Sequence, residues 1–438
     1  MIGATTVDVF RVVGNLATLS SCDRALLLDR SSSPKDAAIR EGTRRIIDRV
    51  RGGGDAALIA LAAELDGVKL TALEVAREQC EAALAGLPAA LRRVMTRAAG
   101  NIESVHRSGR PVEIEAVPEA GIRVLRRPDP LRRVGIYAPG GRAAYPSSVL
   151  MGAIPARVAG VGEVILCSPP DPTGLPPQSV LAAAALSGVD RVFAIGGAGA
   201  IAAMAYGTAS IPRVDRIVGP GNAYVAEAKL QVAAVTGIDS PAGPSELLVI
   251  ADNTASPQKI ALEVLAQAEH DPMAVVVVIA VGEELATTIA DEIAKLIPSA
   301  PREAIVTTAL RDRGALLTVD SLEQAIAFAN DFAPEHLLLA CGDPAAICKR
   351  SRNAGAVFLG ETSSVTYGDY LTGANHVLPT GGLARSYSGL LVLDFMRWTT
   401  VQSVDRAAAA RLADDVAIFA RAEGLPGHAA AAQAGGRQ

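Results

Sequence analysis

The stretch RVFAIGGAGAIA (191–202) runs from a β-branched and aromatic segment through a glycine pair into a series of small residues. That order reads as strand, tight turn and helix, the unit from which parallel α/β sheets are built. Gly197 to Ala202 fits G-x-G-x-x-A, the pattern of a nucleotide-binding turn, and Asp215 falls roughly where a ribose-binding acid would stand. With 41 glycines in 438 residues, the match alone is weak. A second turn, Gly219-Pro220-Gly221-Asn222, leads into a helix over 223–232 whose N-terminus could hold phosphate. Gly140-Gly141, after Tyr137, makes a third. Any of the three could be only a turn.

Outward from this stretch the same texture repeats. Short apolar runs at 133–138, 163–167, 191–195 and 215–218 alternate with helical segments, and a second series runs through 247–251, 274–281, 337–339 and 356–359. Alternation of this kind predicts βαβ units in two α/β lobes, the second beginning near Ser245. Upstream, 37–65 reads as two helices broken at Gly52–Gly54, and 72–107 as a further helix. The first thirty residues have no clear period and read as an arm. From Asp405 a helix with Leu412, Val416 and Phe419 on one face runs to Glu423 and is stopped by Gly424, Pro426 and Gly427. The final AAAAQAGGRQ reads as a frayed tail.

Half of the residues are apolar but only 3% are aromatic, so the core must be aliphatic, which suits parallel strands covered on both faces. The net charge of −5, from 41 basic and 46 acidic residues, gives no sign of a nucleic-acid partner. The cluster Arg126, Arg127, Arg132 and Arg133 reads as a solvated surface. Five cysteines form no CxxC pair and no even framework, which predicts a reducing, cytoplasmic setting. The start, MIGATTVDVFRVVG, lacks the regions of a signal peptide, and the longest apolar stretch, 273–281, is far below membrane-spanning length. No membrane association is expected.

Only five histidines are present, and four of them sit in suggestive contexts. In QAEH (267–270), Ser256-Pro257 and Asp271-Pro272 bracket a helix of about fourteen residues. Gln267 and His270 on one face could then meet one ion. The alternative is a buried amide bonded to backbone beside a surface histidine. In APEH (333–336), Ser321 and Gln324 make a capping box for the preceding helix, which Pro334 stops. Glu335 and His336 then stand at the N-terminal edge of a strand, where parallel sheets less often place function. An imidazole beside a carboxylate nevertheless supplies a base and a second proton acceptor; a solvated pair in a loop is the other reading. GDYLTGANHVLPT (368–380) carries Asp369 and His376 in a loop whose composition fits a binding surface, although Asp369 could equally be an Asx-turn residue. In EGLPGH (423–428), Glu423 continues the apolar helix face at a C-terminus unfavourable to anions. His428 follows in a Gly/Pro turn.

Taken together, VGIYAPGG (134–141), YPSSVLM (145–151), VGPGNAYVAEAK (218–229), PAGPSELLVIAD (241–252), QAEHDP (267–272), FAPEHL (332–337), GDYLTGANHVLPT (368–380) and EGLPGH (423–428) resemble histidinol dehydrogenase, in order, from about residue 37 to 428. The resemblance implies an NAD- and zinc-dependent enzyme that oxidises L-histidinol through L-histidinal to L-histidine. It implies zinc held by Gln267, His270, Asp369 and His428, with the substrate bound by these residues together with Ser245, His336, His376 and Glu423. His336 would be the general base and Glu335 the activator of water; Tyr137, Asn222 and the position of Gly199 would contact NAD+. It further implies an α/β fold of two incomplete Rossmann-like domains with parallel-rich sheets, plus small N-terminal and C-terminal helical segments. The expected parts are an arm over 1–30, a discontinuous metal-site domain over 31–136 and 245–390, an NAD-binding domain over 137–244, and a segment over 391–438. That last segment would cross to the partner of a homodimer with shared active sites. None of the five cysteines falls in these motifs, so no thiol nucleophile is expected. A dehydrogenase of another polyol or sulfonated alcohol, or a zinc hydrolase using Glu335, would be the rival; an acid placed like Glu423 to recognise imidazole speaks against the first.

One position departs from the resemblance: Gly199 stands where the family usually has a glutamine that helps to bind NAD+. Weaker NAD+ affinity than the family's follows. Fluorescence titration should show Gly199→Gln binding NAD+ more tightly than the natural chain; an unchanged dissociation constant refutes the point.

Overall fold

A computed structural model describes residues 9–30, 37–140 and 144–436. Fifteen strands appear among them: β1 (Val12–Asn15), β2 (Glu74–Val75), β3 (Ile114–Ala116), β4 (Ile122–Pro130), β5 (Arg133–Tyr137), β6 (Glu163–Ser168), β7 (Arg191–Ala194), β8 (Arg216–Val218), β9 (Gly237–Ile238), β10 (Glu246–Ala251), β11 (Val275–Val281), β12 (Ala315–Val319), β13 (His336–Ala340), β14 (Ala356–Leu359) and β15 (Met396–Val404). They form two six-stranded sheets and one three-stranded sheet.

The first large sheet has the order β1-β12-β11-β10-β13-β14, all parallel. The second has the order β2-β7-β6-β5-β8-β9, parallel except for β2. Within each, the five consecutive βα units are arranged third, second, first, fourth, fifth. This is the incomplete Rossmann-like order, and it places a crevice at the carboxyl ends beside the first strand. Strands such as VVVVIA in β11 are buried on both faces, as their unbroken aliphatic runs require.

Several elements differ from expectation. The N-terminal residues form β1, paired with β12, and the helix Ser21–Leu28. The helix expected over 72–107 is β2 followed by two helices, Arg77–Ala85 and Ala89–Ser108, because Gly86-Leu87-Pro88 interrupts it. The break expected at Gly52–Gly54 is a kink at Gly54 (φ 52°) within Ala37–Leu61. The helices of 37–108 pack on the second sheet: Leu58 and Leu61 share a core with Tyr137 and Phe193, while Met95 and Ile102 share one with Val134 and Val149. Residues 37–108 and β5 therefore join 137–244, not 245–390. In the helix Arg406–Ala422 the buried stripe is Ala408, Ala413, Ala417 and Ala420, whereas Val416 and Phe419 are exposed. His428 lies in the helix Pro426–Gly435, which also includes most of the expected tail. The basic cluster is largely neutralised: Arg127 pairs with Asp129, Arg133 with Glu163, and Arg126 lies over Trp398.

His106, near the end of Ala89–Ser108, is 3% exposed, and its Nε2 has no partner. Burial pushes its pKa down to about 4. The unfolded chain, with an ordinary imidazole, binds more protons between that value and about 6.5, so stability falls as pH falls through this window. A shift of that size is worth about 3 kcal/mol once titration is complete. His106→Leu should remove this acid sensitivity: the drop in urea midpoint between pH 7 and 4.5 should be visibly smaller than for the natural chain.

Candidate active site

At the carboxyl ends of β5 and β8 the turns of the second sheet are held tightly. Gly219 has φ 118°, and a Cβ there would collide with the Tyr137 carbonyl, so only glycine fits. Its N–H donates to Asp239 Oδ2 (2.7 Å), its carbonyl accepts from Lys229 Nζ (3.1 Å), and Lys229 and Asp239 form a buried ion pair. Asn222 caps the helix Ala223–Val232, its Oδ1 accepting from Tyr224 N (3.0 Å) and Val225 N (3.2 Å). Tyr137 is buried, and its hydroxyl accepts from Gly197 N (3.1 Å); burial raises its pKa to about 12. Tyr137 thus braces one glycine turn with its hydroxyl and abuts the other with its backbone. Gly199 is buried in the helix Gly197–Tyr206, and a Cβ there would rest against Leu58 and Leu61 at 3.4 and 3.5 Å, an ordinary contact. Asp215 is at the other end of this sheet, where its Oδ2 accepts from Arg133 N (2.9 Å). It precedes β8, whereas the turns follow the strands, so it is not the ribose-binding acid. Gly141 lies outside the described residues.

The second cluster stands at the N-terminal edge of the first sheet. His336 opens β13 and is 5% exposed. Its Nδ1 lies 3.0 Å from the Glu246 carbonyl and donates there, which leaves Nε2 bare and 3.8 Å from Asp369 Oδ1. Burial drives the imidazole pKa down to about 4, with His270 and His376 adding to the fall, so the ring is neutral near pH 7. Glu335 is 6% exposed and its Oε2 accepts from Glu246 N (2.7 Å). Burial, then the neighbouring Glu246 and Asp369 charges, push its carboxyl well above the usual range. Ala333, three residues before His336, has φ 51° and is the one non-glycine residue with positive φ among those described.

Asp369 belongs to the short helix Val365–Tyr370, whose first N–H donates to Glu263 Oε2 (3.2 Å) of the helix Pro257–Ala268. Its own carboxyl is raised to about 6 by burial and by Glu263. His376 Nδ1 donates to the Asp369 carbonyl (2.8 Å), and burial lowers its pKa. Gln267 is in the last turn of Pro257–Ala268, 4% exposed, with no partner for its amide nitrogen. His270 lies just past the end of that helix, exposed, its N–H reaching back to the Gln267 carbonyl (3.3 Å). The expected fourteen-residue helix is thus shorter, and a closing turn rather than the helix face brings the two residues together. Ser245 immediately precedes β10, its carbonyl accepting from Val275 N (2.9 Å). The capping box expected at Ser321 is instead a bond from Asp320 N to Gln324 Oε1 (3.0 Å).

The loop 371–380 ties the two sheets together. Asn101 Nδ2 donates to Leu371 O (2.7 Å) and Asn375 Nδ2 to Met151 O (2.7 Å), while Thr380 Oγ1 accepts from Gly243 N. Glu423 and His428 are exposed on the C-terminal helical hairpin, and among the described residues no hydrogen bond or ion pair links either to the cluster. Nor, among the described residues, do three His, Cys, Asp or Glu groups stand close enough to hold a metal by themselves. Sequence reasoning missed Glu246 and Arg30. Glu246 could have been noticed as the only charge in ELLVIA; nothing marked Arg30.

Two sheets of Rossmann-like order, with braced glycine turns at one edge and a buried carboxylate and imidazole at the other, fit a dehydrogenase of the NAD-dependent class. Residues 29–435 match the family model described as histidinol dehydrogenase. The chain is 43% identical over 424 residues to the histidinol dehydrogenase of Methanosarcina barkeri, covering 96% of this chain and 97% of that one. It is 46% identical over 401 residues to that of Aromatoleum aromaticum, covering 91% of each. The crystal structure of histidinol dehydrogenase from Elizabethkingia anophelis superposes with a TM-score of 0.92 at 34% identity, covering 97% of this chain and 98% of that one. The chain belongs to the histidinol dehydrogenase family, the NAD-dependent oxidoreductases of the last step of histidine biosynthesis.

Proposed function

We propose that the chain oxidises L-histidinol through L-histidinal to L-histidine, passing four electrons to two NAD+, with Glu335 and His336 as its catalytic pair. The observation that carries this reading is the meeting of Glu335, His336, Asp369 and His376 at one sheet edge; Gln267, near the end of its helix, has a buried amide nitrogen with no partner. An amide nitrogen buried without a partner costs about 1–3 kcal/mol, a cost that function sustains more often than packing does. Gln267, His270 and Asp369 would hold the zinc ion, and His428 would complete the set. Such a mixed nitrogen and oxygen set suits a borderline ion. Zinc in that position would orient the substrate and act as a Lewis acid. NAD+, held at the turns near Tyr137, Gly199 and Asn222, would supply hydride acceptance.

His336 Nε2, bare because Nδ1 is engaged, removes the hydroxyl proton of the alcohol and later that of the hydrated aldehyde. Glu335 takes a proton from the water that adds to the aldehyde; its raised proton affinity makes it a competent base once ionised. Among the described residues no hydrogen bond engages its Oε1, which leaves that oxygen for the water. Ser245 and His376 flank the pair and would bind the substrate. Glu423 would meet the substrate's imidazole. The five free cysteines support a cytoplasmic setting.

On this reading Glu423 and His428, which no hydrogen bond or ion pair among the described residues links to the cluster, would reach it from another chain. The C-terminal hairpin shares a small core of Ala417, Ala420 and Ala429 yet exposes Ile418 (64%) and Phe419 (70%), which supports a homodimer in which residues 391–438 cross to the partner. Absorbance at 340 nm should give two NADH per L-histidinol consumed; a ratio of one would sink the four-electron reading. Chains carrying Glu335→Gln/His336→Asn, unfolded and refolded with an equal amount of His428→Ala chains, should recover about a quarter of the natural activity through hybrid dimers with one intact site. No recovery above either parent counts against crossing.

A further inference from the structure

Glu246 opens a strand that is otherwise wholly apolar, and it is 2% exposed. Its Oε2 pairs with Arg30 Nη1 (2.6 Å) and accepts from Glu335 N (3.3 Å), while Oε1 accepts from Gly381 N (2.9 Å). The backbone of the same residue is engaged as well: its N–H donates to Glu335 Oε2 (2.7 Å), and its carbonyl accepts from His336 Nδ1 (3.0 Å). Arg30 is buried too, its guanidinium 3.2 Å from the centre of the Phe332 ring and bonded to the Phe332 carbonyl.

We propose that Glu246, neutralised by Arg30, is the positioning residue of the catalytic pair, fixing where the Glu335 carboxylate and the His336 ring stand. The inference rests on the reading of Glu335 and His336 as that pair. The clamp is reciprocal: the side chain of 246 holds the backbone of 335, and the backbone of 246 holds the side chain of 335. One residue therefore sets both the location and the orientation of the carboxylate. The carbonyl of 246 also keeps the imidazole proton on Nδ1, so Nε2 is the atom offered to the substrate. Arg30 lets the clamp remain an acceptor at both oxygens, because a buried carboxylate without a counter-charge would take up a proton. Gly381 on the third side joins the same anchor to the loop that carries His376.

A buried ion pair could instead serve stability alone, and the two roles part in kinetics. Glu246→Gln keeps the shape but turns one acceptor into a donor facing N–H groups or the guanidinium. In full-length protein assayed with L-histidinol and NAD+, kcat should fall about 10–100-fold, as for other orienting partners of reactive groups, while KM for NAD+ stays close to natural. Circular dichroism should show the variant folded at the assay temperature. Arg30→Lys keeps the charge but loses the fork, and should lower kcat severalfold with the same unchanged KM. A folded Glu246→Gln with natural kcat, or a KM for NAD+ that rises as far as kcat falls, overturns the proposal. If Glu246→Gln does not fold, Arg30→Lys decides: a natural kcat overturns the proposal, and a selective loss of kcat supports it. Glu335→Gln serves as control. Full activity in that variant overturns the catalytic pair itself, whereas a dead Glu335→Gln beside a fully active Glu246→Gln overturns the positioning role only.

Discussion

A carboxylate placed at the head of a hydrophobic strand has to be satisfied on every side, because taking it out of water costs several kcal/mol even after relaxation. Glu246 meets that demand with groups drawn from three distant parts of the chain: Arg30, Glu335 and Gly381. The consequence reaches well beyond one ion pair. The end of the N-terminal segment, the entry to β13 and the loop after His376 converge because a single buried charge needs all of them. Replacing the cluster with aliphatic residues would remove the desolvation cost, but it would also remove the reason for these three segments to meet.

The two large sheets contribute opposite edges to the candidate site. The second sheet offers its carboxyl ends, with the Gly219 turn and the positive N-terminal end of the helix that Asn222 caps. The first sheet offers its amino ends, which carry no helix N-termini but do carry the ends of helices and the entries of strands. Negative helix ends and buried carboxylates favour a cation there, so the division of labour between edges follows the backbone dipoles. The loop bearing His376 bridges them through Asn375 to Met151 and through Thr380 to Gly243.

Much of this was legible in the sequence where burial is two-sided. The strands of 133–138, 163–167, 191–195, 247–251 and 274–281 announce themselves because aliphatic runs covered on both faces need no polar alternation. The strand Val12–Asn15 did not, since its four residues become a strand only by pairing with the edge of β12. Nor did β3, β4 and β15, whose mostly exposed faces leave no period to read. On the C-terminal helix the larger apolar residues misled: alanines take the intramolecular contact because they let two helices approach closely, and the bulky side chains are left outside. The candidate site residues were singled out through motifs, and the structure brings Glu335, His336, Asp369 and His376 together. Glu246 showed only as a lone charge in ELLVIA and Arg30 not at all, since the partners of a buried charge are set by the fold.

The location of the catalytic pair at a strand entrance has its own physical reason. Neighbouring residues within a strand point to opposite faces of the sheet, so Glu335 and His336 could never serve one reaction from the middle of β13. At its first position the pleat constrains His336 but not yet Glu335, and the carboxylate can swing to within 3.6 Å of the imidazole. The chain must turn sharply to arrive there. Ala333 makes that turn in the left-handed region, which costs an alanine about 1–2 kcal/mol, and Pro334 keeps the preceding helix from running on. Glycine at 333 would ease the strain but would also free the entry to wander. A strained alanine followed by proline, with the Glu246 clamp on the far side, leaves residue 335 essentially one way to enter the sheet.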